Sequence, residues 1–285
     1  LKKRKIIYIA GLGHSGSTIL DMSLGCHSKI IGLGEIMTFV RRKNKAVDLK
    51  SMCSCGKIGY NCDFWSQAYE KIKSEKNADA AYLKILDFFF DKYGNDTILV
   101  DSSKNSYKIL KSVAQKYNLK IIYLTRDFRS WAFSRFLSQK KIFFFYVLRW
   151  FIENLKLELR FKSMNLSYFR LGYEEFALYP EFILKKISDY MQINYEQDML
   201  NPTKTKSHII AGNIVRADKL KKNKIIYDAR WFTSQRVVYW GAFFGFLNRF
   251  NKKRVYSNIL SKKLKSSEFY LFSSSRRKQT EKKYN

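Results

Sequence analysis

Near the N-terminus, Ile6 to Thr18 reads Ile-Ile-Tyr-Ile-Ala-Gly-Leu-Gly-His-Ser-Gly-Ser-Thr, an apolar run that enters a glycine-rich turn and closes on hydroxyls. These residue types in this order can cradle a phosphate or a phosphate-like anion. Gly11, Gly13 and Gly16 allow a tight turn that presents backbone N–H groups, Ser15, Ser17 and Thr18 add hydroxyls, and a helix opening at Thr18 favours an anion at its N-terminus. Two templates fit. As G-x-x-x-x-G-K-[ST], Gly11 and Gly16 match, but Ser17 stands where a lysine would reach the outer phosphates of a nucleoside triphosphate, which suits a shorter anion. As G-x-G-x-x-G, all three glycines match and Glu35 lies near the position of a ribose-binding acid, so a dinucleotide fold stays open on this segment alone.

Downstream segments separate the two. Thr97 to Lys104 (Thr-Ile-Leu-Val-Asp-Ser-Ser-Lys) is an apolar run ending in polar residues, and Lys120 to Arg126 is another, followed by Asp127 to Ser134. An Arg at a strand end with a Ser eight residues later on the next helix resembles the 3′-phosphate site of sulfotransferases that use 3′-phosphoadenosine 5′-phosphosulfate (PAPS). His14 to Thr18 looks like that family's 5′-phosphosulfate loop, and His208 to Arg216, with Asp228 and Trp231 beyond, is similar to its late Gly-Asn-x-x-Arg element. The resemblance covers roughly residues 5 to 232 as ordered motifs. It implies a P-loop NTPase-like α/β fold of three layers and an enzyme that moves a sulfuryl group from PAPS, releasing 3′-phosphoadenosine 5′-phosphate. Gly13 to Thr18, Arg126, Ser134, Gly212, Asn213 and Arg216 would hold the nucleotide. Physical chemistry points the same way, because a guanidinium fork and a hydroxyl suit a near-dianionic phosphate, whereas a nicotinamide cofactor has no need of the pair.

One departure bears on mechanism. Many family members carry Lys or Arg before the Ser-Gly pair, where this chain has His14, so Lys104 is expected to supply the charge on the leaving group. Gly34-Glu35 resembles the family's Gly-Glu pair, which makes Glu35 the expected base, with His14 and His208 as rivals and His14 kept as a contributor to leaving-group stabilisation. Asp101 is expected to orient Ser102 or the loop. The reaction requires no metal by this design. Two other classes stay open: an NAD(P)-dependent oxidoreductase, and a nucleotide-binding scaffold without catalysis at a membrane. The acceptor, a glycan, lipid or small molecule bearing a hydroxyl or amine, is not legible.

The elements that must position these residues follow from periodicity. Apolar runs at 6–10, 97–101 and 120–125, with further strands at 30–33 and 168–171, alternate with helical patterns near 17–25, 65–92, 105–117, 128–163 and 180–192. This is the signature of a parallel sheet with crossover helices. At 285 residues, 46 % hydrophobic, with 2 Pro and 13 Gly, the chain suits one large α/β domain and a tail, not a disordered or loop-rich β protein. The expected division is a catalytic domain over 1–235 and an aromatic segment with a basic tail over 236–285. Residues 142–152 are apolar on nearly every side and are expected in the core, the alternative being a wall of the acceptor pocket. Residues 237–247 lack charge and read as a packed C-terminal helix or an interfacial one, and 251–285 carry 11 Lys and Arg against 2 Glu.

Net charge is +30, which suits an anionic cofactor, an acidic acceptor or a lipid surface, although a compositional bias towards lysine accounts for it equally well. No nucleic acid is expected, because no nucleic-acid module is recognisable. Peripheral membrane contact through 237–285 stays open. Cys53, Cys55 and Cys62 form a compact C-x-C-x6-C cluster whose spacing is not a standard zinc signature, so free or paired thiols are expected, with zinc as the lesser alternative. A similar element recurs in bacterial-type members of the family. The chain opens on Leu1 rather than Met, leaving a removed leader open, and the expected compartment is the cytoplasm, where bacteria make the implied cofactor.

Overall fold

The computed structural model describes residues 4–43, 48–104, 106–139, 142–212 and 225–256. Five strands form one parallel sheet: β1 (Lys5–Gly11), β2 (Ile30–Gly32), β3 (Ile98–Asp101), β4 (Asn118–Thr125) and β5 (Phe169–Gly172), in the order β2-β3-β1-β4-β5. β1 is central because its six residues from Ile6 to Gly11 are all buried. Its side chains alternate between two layers, Ile6 packing with the helices beside Phe39, Trp65 and Phe89, and Ile7 and Ile9 with Leu20, Leu184 and Ile187. Each such isoleucine contributes about 1.5–3 kcal/mol through burial.

The helices α1 (Ser17–Leu24), α2 (Ile36–Arg42), α3 (Trp65–Ile72), α4 (Ala78–Tyr93), α5 (Tyr107–Lys116), α6 (Phe128–Gln139), α7 (Phe143–Ser163), α8 (Tyr173–Leu178) and α9 (Pro180–Met191) cover both faces. All five expected strands form. The single helix expected over 65–92 is two, because the polar run before Asn77 breaks it and Asn77 caps the second, accepting from the N–H groups of Asp79 at 2.8 Å and Ala80 at 3.0 Å. The helix expected over 128–163 is likewise divided into α6 and α7. Asp127 caps α6, its Oδ1 accepting from Arg129 N at 2.9 Å.

Residues 142–152 are not the uniformly buried stretch that their apolarity suggested. Phe143, Tyr146, Val147 and Trp150 point into the core, whereas Ile142, Phe145 and Ile152 are exposed. α7 presents one packed stripe and leaves the rest to solvent.

Helices α10 (Gln235–Phe243) and α11 (Asn248–Val255) and the turn between them pack Val237, Phe244, Leu247 and Val255 against Phe128, Trp131 and Trp150. Gly172 at the end of β5 admits the α11 backbone, since a Cβ there would lie 1.8 Å from Val255 O. Tyr239, Phe243 and Phe246 stay exposed. Among the described residues no helix is long and apolar enough to cross a membrane. The basic tail from 257 onward lies outside the described residues.

Candidate active site

The turn after β1 is held open by two glycines. Gly11 has φ 149° and a Cβ there would fall 2.3 Å from Leu124 O, while Gly16 has φ 92° and a Cβ would strike the Tyr173 ring at 2.5 Å. Gly13 needs neither exemption, with open space where its Cβ would be. Between them His14 takes the left-handed conformation at φ 72°. The loop is fastened from α6 and β4: Trp131 Nε1 donates to Gly13 O at 2.7 Å and Arg126 Nη1 to His14 O at 3.0 Å. It then enters α1, whose first turn has no acidic side chain, so the N–H groups of that turn offer positive potential to an anion.

Arg126, 6 % exposed, follows β4 directly. Its Nε donates to Ser130 Oγ at 2.9 Å, its Nη2 to Asp228 Oδ2 at 2.7 Å, and the guanidinium lies 4.6 Å from the Tyr173 ring centroid. Trp150 Nε1 donates to Arg126 O at 2.8 Å and fixes the backbone beneath it. Ser134 Oγ lies 3.2 Å from His14 Nδ1. Arg126 and Ser134 therefore border the mouth of the glycine turn, in a cavity of about 550 Å³ that Gly16, Ser17, Thr18, Tyr227 and Arg230 also line.

A second cavity of about 500 Å³ lies on the other side of His14 and Lys104, which line both. Glu35 stands in it, just ahead of α2, where its Oε2 accepts from Thr38 at 2.9 Å and its Oε1 receives Lys104 Nζ at 2.5 Å. Lys104 is placed by the polar tip of β3. Asp101 accepts from Tyr82 at 2.6 Å and from Ser103 Oγ at 2.5 Å, and Ser103 in turn accepts from Met37 N at 2.9 Å. The expectation that Asp101 orients Ser102 or the loop is corrected here, because its carboxylate holds Tyr82 and Ser103 while Ser102 donates to Asp21 at 3.1 Å. Asp21, fully buried on α1, also accepts from Gly34 N at 3.2 Å and so joins the glycine loop's helix to the Gly34-Glu35 turn. Burial pushes the Asp21 carboxyl up to about 8.

Electrostatics distinguish the other groups. Burial, then the charges of Arg135, Lys104 and Arg126, push His14 down to about 4, so it is a neutral imidazole near pH 7 that can hydrogen-bond but supplies no charge. Burial works to raise the Asp228 carboxyl, but Arg230 and Arg126 together hold it well below the usual range. Gly212 reaches the second cavity beside Glu35, a Cβ there falling 3.3 Å from Oε1. Asn213 and Arg216 lie outside the described residues. His208 is drawn into the cysteine cluster, with Nδ1 3.3 Å from Cys62 Sγ and Nε2 3.2 Å from Tyr93 Oη.

Several side chains of the site were not singled out from the sequence. Tyr173 packs under Arg126, and Arg41, Arg42, Arg135 and Arg149 line the second cavity with Glu153. Arg135 had a legible signal, since it adjoins Ser134 on one helix. The others come from α2, α7 and, for Tyr173, α8, and meet only in the folded chain.

A family model described as the sulfotransferase family matches residues 7–197. Among solved structures, the sulfotransferase domain from the Synechococcus PCC 7002 olefin synthase is similar at a TM-score of 0.53 and 16 % identity, with 86 % of this chain and 95 % of that one covered. The sulfotransferase domain from the curacin biosynthetic pathway is similar at a TM-score of 0.53 and 19 % identity, with 86 % and 99 % covered. At these identities the likeness is one of fold. No curated protein matches the sequence.

Proposed function

The chain belongs to the sulfotransferase family, and from that premise we propose that it moves the sulfuryl group of PAPS onto a hydroxyl or amine of an acceptor held in the second cavity. The observation that carries this reading is that His14 and Lys104 line both cavities, one bordered by the glycine loop, Arg126 and Ser134, the other by Glu35. The residues of the first cavity fit the nucleotide: loop N–H groups for the 5′ end, Arg126 and Ser134 for the 3′-phosphate, and Tyr173 and Tyr227 for apolar contact. When bound, the donor supplies an activated sulfur whose bond to the bridging phosphate oxygen breaks as the acceptor's bond forms.

Glu35 takes the acceptor proton, Lys104 and the loop N–H groups stabilise charge on the departing oxygen, and neutral His14 donates a hydrogen bond. The two functions meet in one ion pair, so Lys104 must turn from Glu35 towards the departing oxygen, leaving the carboxylate free to act as base.

The second cavity favours an acceptor carrying negative charge. Four arginines line it against Glu35 and Glu153, and Arg42 already pairs with Asp48 at 3.5 Å. Sulfated, phosphorylated or carboxylated acceptors fit that lining better than neutral lipids. The dinucleotide alternative loses its ribose-binding acid, because Glu35 is paired with Lys104.

Thermal melting with 3′-phosphoadenosine 5′-phosphate or NADH tests the nucleotide assignment, since a ligand of the native state raises Tm by mass action. The bisphosphate raises Tm and NADH does not; the reverse result would overturn the reading. Radiolabel transfer from PAPS into a panel of anionic and neutral acceptors then identifies the acceptor class.

A further inference from the structure

Away from both cavities, Cys53, Cys55, Cys62 and His208 bring their ligating atoms within 4.8 Å of one another. We propose that these four residues bind one zinc ion in a closed structural site, which clips the loop of Cys53–Cys62 onto the segment that leads to Gly212.

The three distances from Cys62 match edges of a tetrahedral zinc site, and all four ligating atoms lie within 4.8 Å of one another. Cys62 Sγ lies 3.8 Å from Cys53 Sγ, 3.8 Å from Cys55 Sγ and 3.3 Å from His208 Nδ1. With Zn–S near 2.3 Å and Zn–N near 2.0–2.1 Å, a tetrahedral ion has edges of about 3.8 Å between sulfurs and about 3.5 Å between sulfur and nitrogen. Three thiolates and an imidazole select zinc over the oxygen-seeking magnesium and calcium. The chain spacing alone could not supply the fourth ligand, because His208 is 146 residues from Cys62.

The surroundings suit a metal. Gly56, at φ 88°, turns the loop so that its N–H donates back to Cys53 O at 3.0 Å and Cys53 N donates to Lys57 O at 2.9 Å, which brings Cys53 and Cys55 to one side. With His208 Nδ1 turned to the sulfurs, the proton sits on Nε2 and is donated to Tyr93 Oη at 3.2 Å, the outer partner that metal-bound histidines use. Phe64 stacks on the imidazole at 6.1 Å, and Trp65 Nε1 donates to His208 O.

The clip has a purpose in the fold. Ser54 Oγ donates to Ser207 O and accepts from Ile209 N at 2.8 Å, and Ile209 packs where Gly34 has no Cβ. Fixing Cys53–Cys62 to His208 thus holds Ile209–Gly212 against the Gly34-Glu35 turn, a positioning role independent of which group the enzyme transfers.

Metal content tests it without any assay of transfer. The full chain, purified in reductant without chelators, should carry one zinc per chain by elemental mass spectrometry. After chelation, added cobalt(II) should give tetrahedral d–d bands and thiolate charge transfer that zinc abolishes. His208→Cys should keep one metal with stronger charge transfer, Cys62→Ala should lose it, and Tyr93→Phe should weaken affinity about 10- to 100-fold. Cys26→Ser should change nothing, because Cys26 Sγ faces Met22 O and Asn201 O. Sub-stoichiometric zinc with no cobalt bands, or a disulfide among the three cysteines in protein purified without added oxidant, would overturn the site. So would an unchanged cobalt spectrum in His208→Ala.

Discussion

Lys104 Nζ lies 2.5 Å from Glu35 Oε1, so the cation and the carboxylate nearest the junction of the two cavities hold one another. Both side chains keep a small solvent share, 14 % and 16 %, which leaves each able to exchange its partner. Glu35→Gln keeps an acceptor oxygen for Lys104, so the fold and the affinity for 3′-phosphoadenosine 5′-phosphate should hold while turnover falls about 10²–10⁴-fold. Wild-type turnover in that variant would take the base role away from Glu35.

Lys104→Met should lower turnover by about 10²–10³-fold, the scale of losing one donor to developing negative charge. Single-turnover kinetics would read it, and a loss confined to KM would assign Lys104 to binding instead.

Arg126→Lys keeps the charge beside Asp228 but removes the planar fork. Calorimetric titration should show 3′-phosphoadenosine 5′-phosphate binding weakened by about 1.5–3 kcal/mol, the scale of a charged hydrogen bond, with adenosine 5′-phosphate hardly affected. Equal losses for both ligands would remove Arg126 from the 3′-phosphate.

Asp228 occupies Arg126 Nη2 at 2.7 Å and Arg230 Nε at 2.7 Å, where it would compete with the proposed 3′-phosphate. Asp228→Asn should therefore tighten binding of 3′-phosphoadenosine 5′-phosphate about tenfold, equivalent to about 1.4 kcal/mol. Weaker binding would mean that the carboxylate holds Arg126 in place for its ligand.

His14 titrates near 4 in the folded chain against its usual 6.5, so the unfolded chain takes up the proton first. Its contribution to stability is present above pH 6.5 and is lost as the pH falls through that value towards about 4. Across that interval Tm of the wild type should accordingly rise more, or fall less, with increasing pH than Tm of His14→Gln. The comparison must be between the two proteins, because burial raises Asp21 and Glu174 to about 8, and the stability held in their neutral forms is lost as pH rises towards that value. An identical pH dependence would mean that His14 is solvated as in the unfolded chain.

Much of the scaffold was legible because its signals are local. Buried apolar runs mark the five strands, and Gly11, Gly16, Arg126 and Ser134 each sit at a recognisable distance from one. Helix breaks were harder, since the side chain of Asn77 settles the start of α4 against a helical pattern that continues past it. Asp21 gave no sign, being one carboxylate on a short helix whose partners, Ser102 and Gly34, are distant or apolar in sequence. The arginine lining of the second cavity and the meeting of His208 with three cysteines are products of topology, and neither spacing nor periodicity can report them.

Ser134 and Arg135 are consecutive on α6, one bordering each cavity, and Trp131 ties the same helix to the glycine loop. A tilt of α6 that improves the grip on one substrate must reshape the berth of the other. With the two cavities taking donor and acceptor as proposed, their affinities would be linked through α6, and by thermodynamic reciprocity each ligand would alter the other's binding by the same factor.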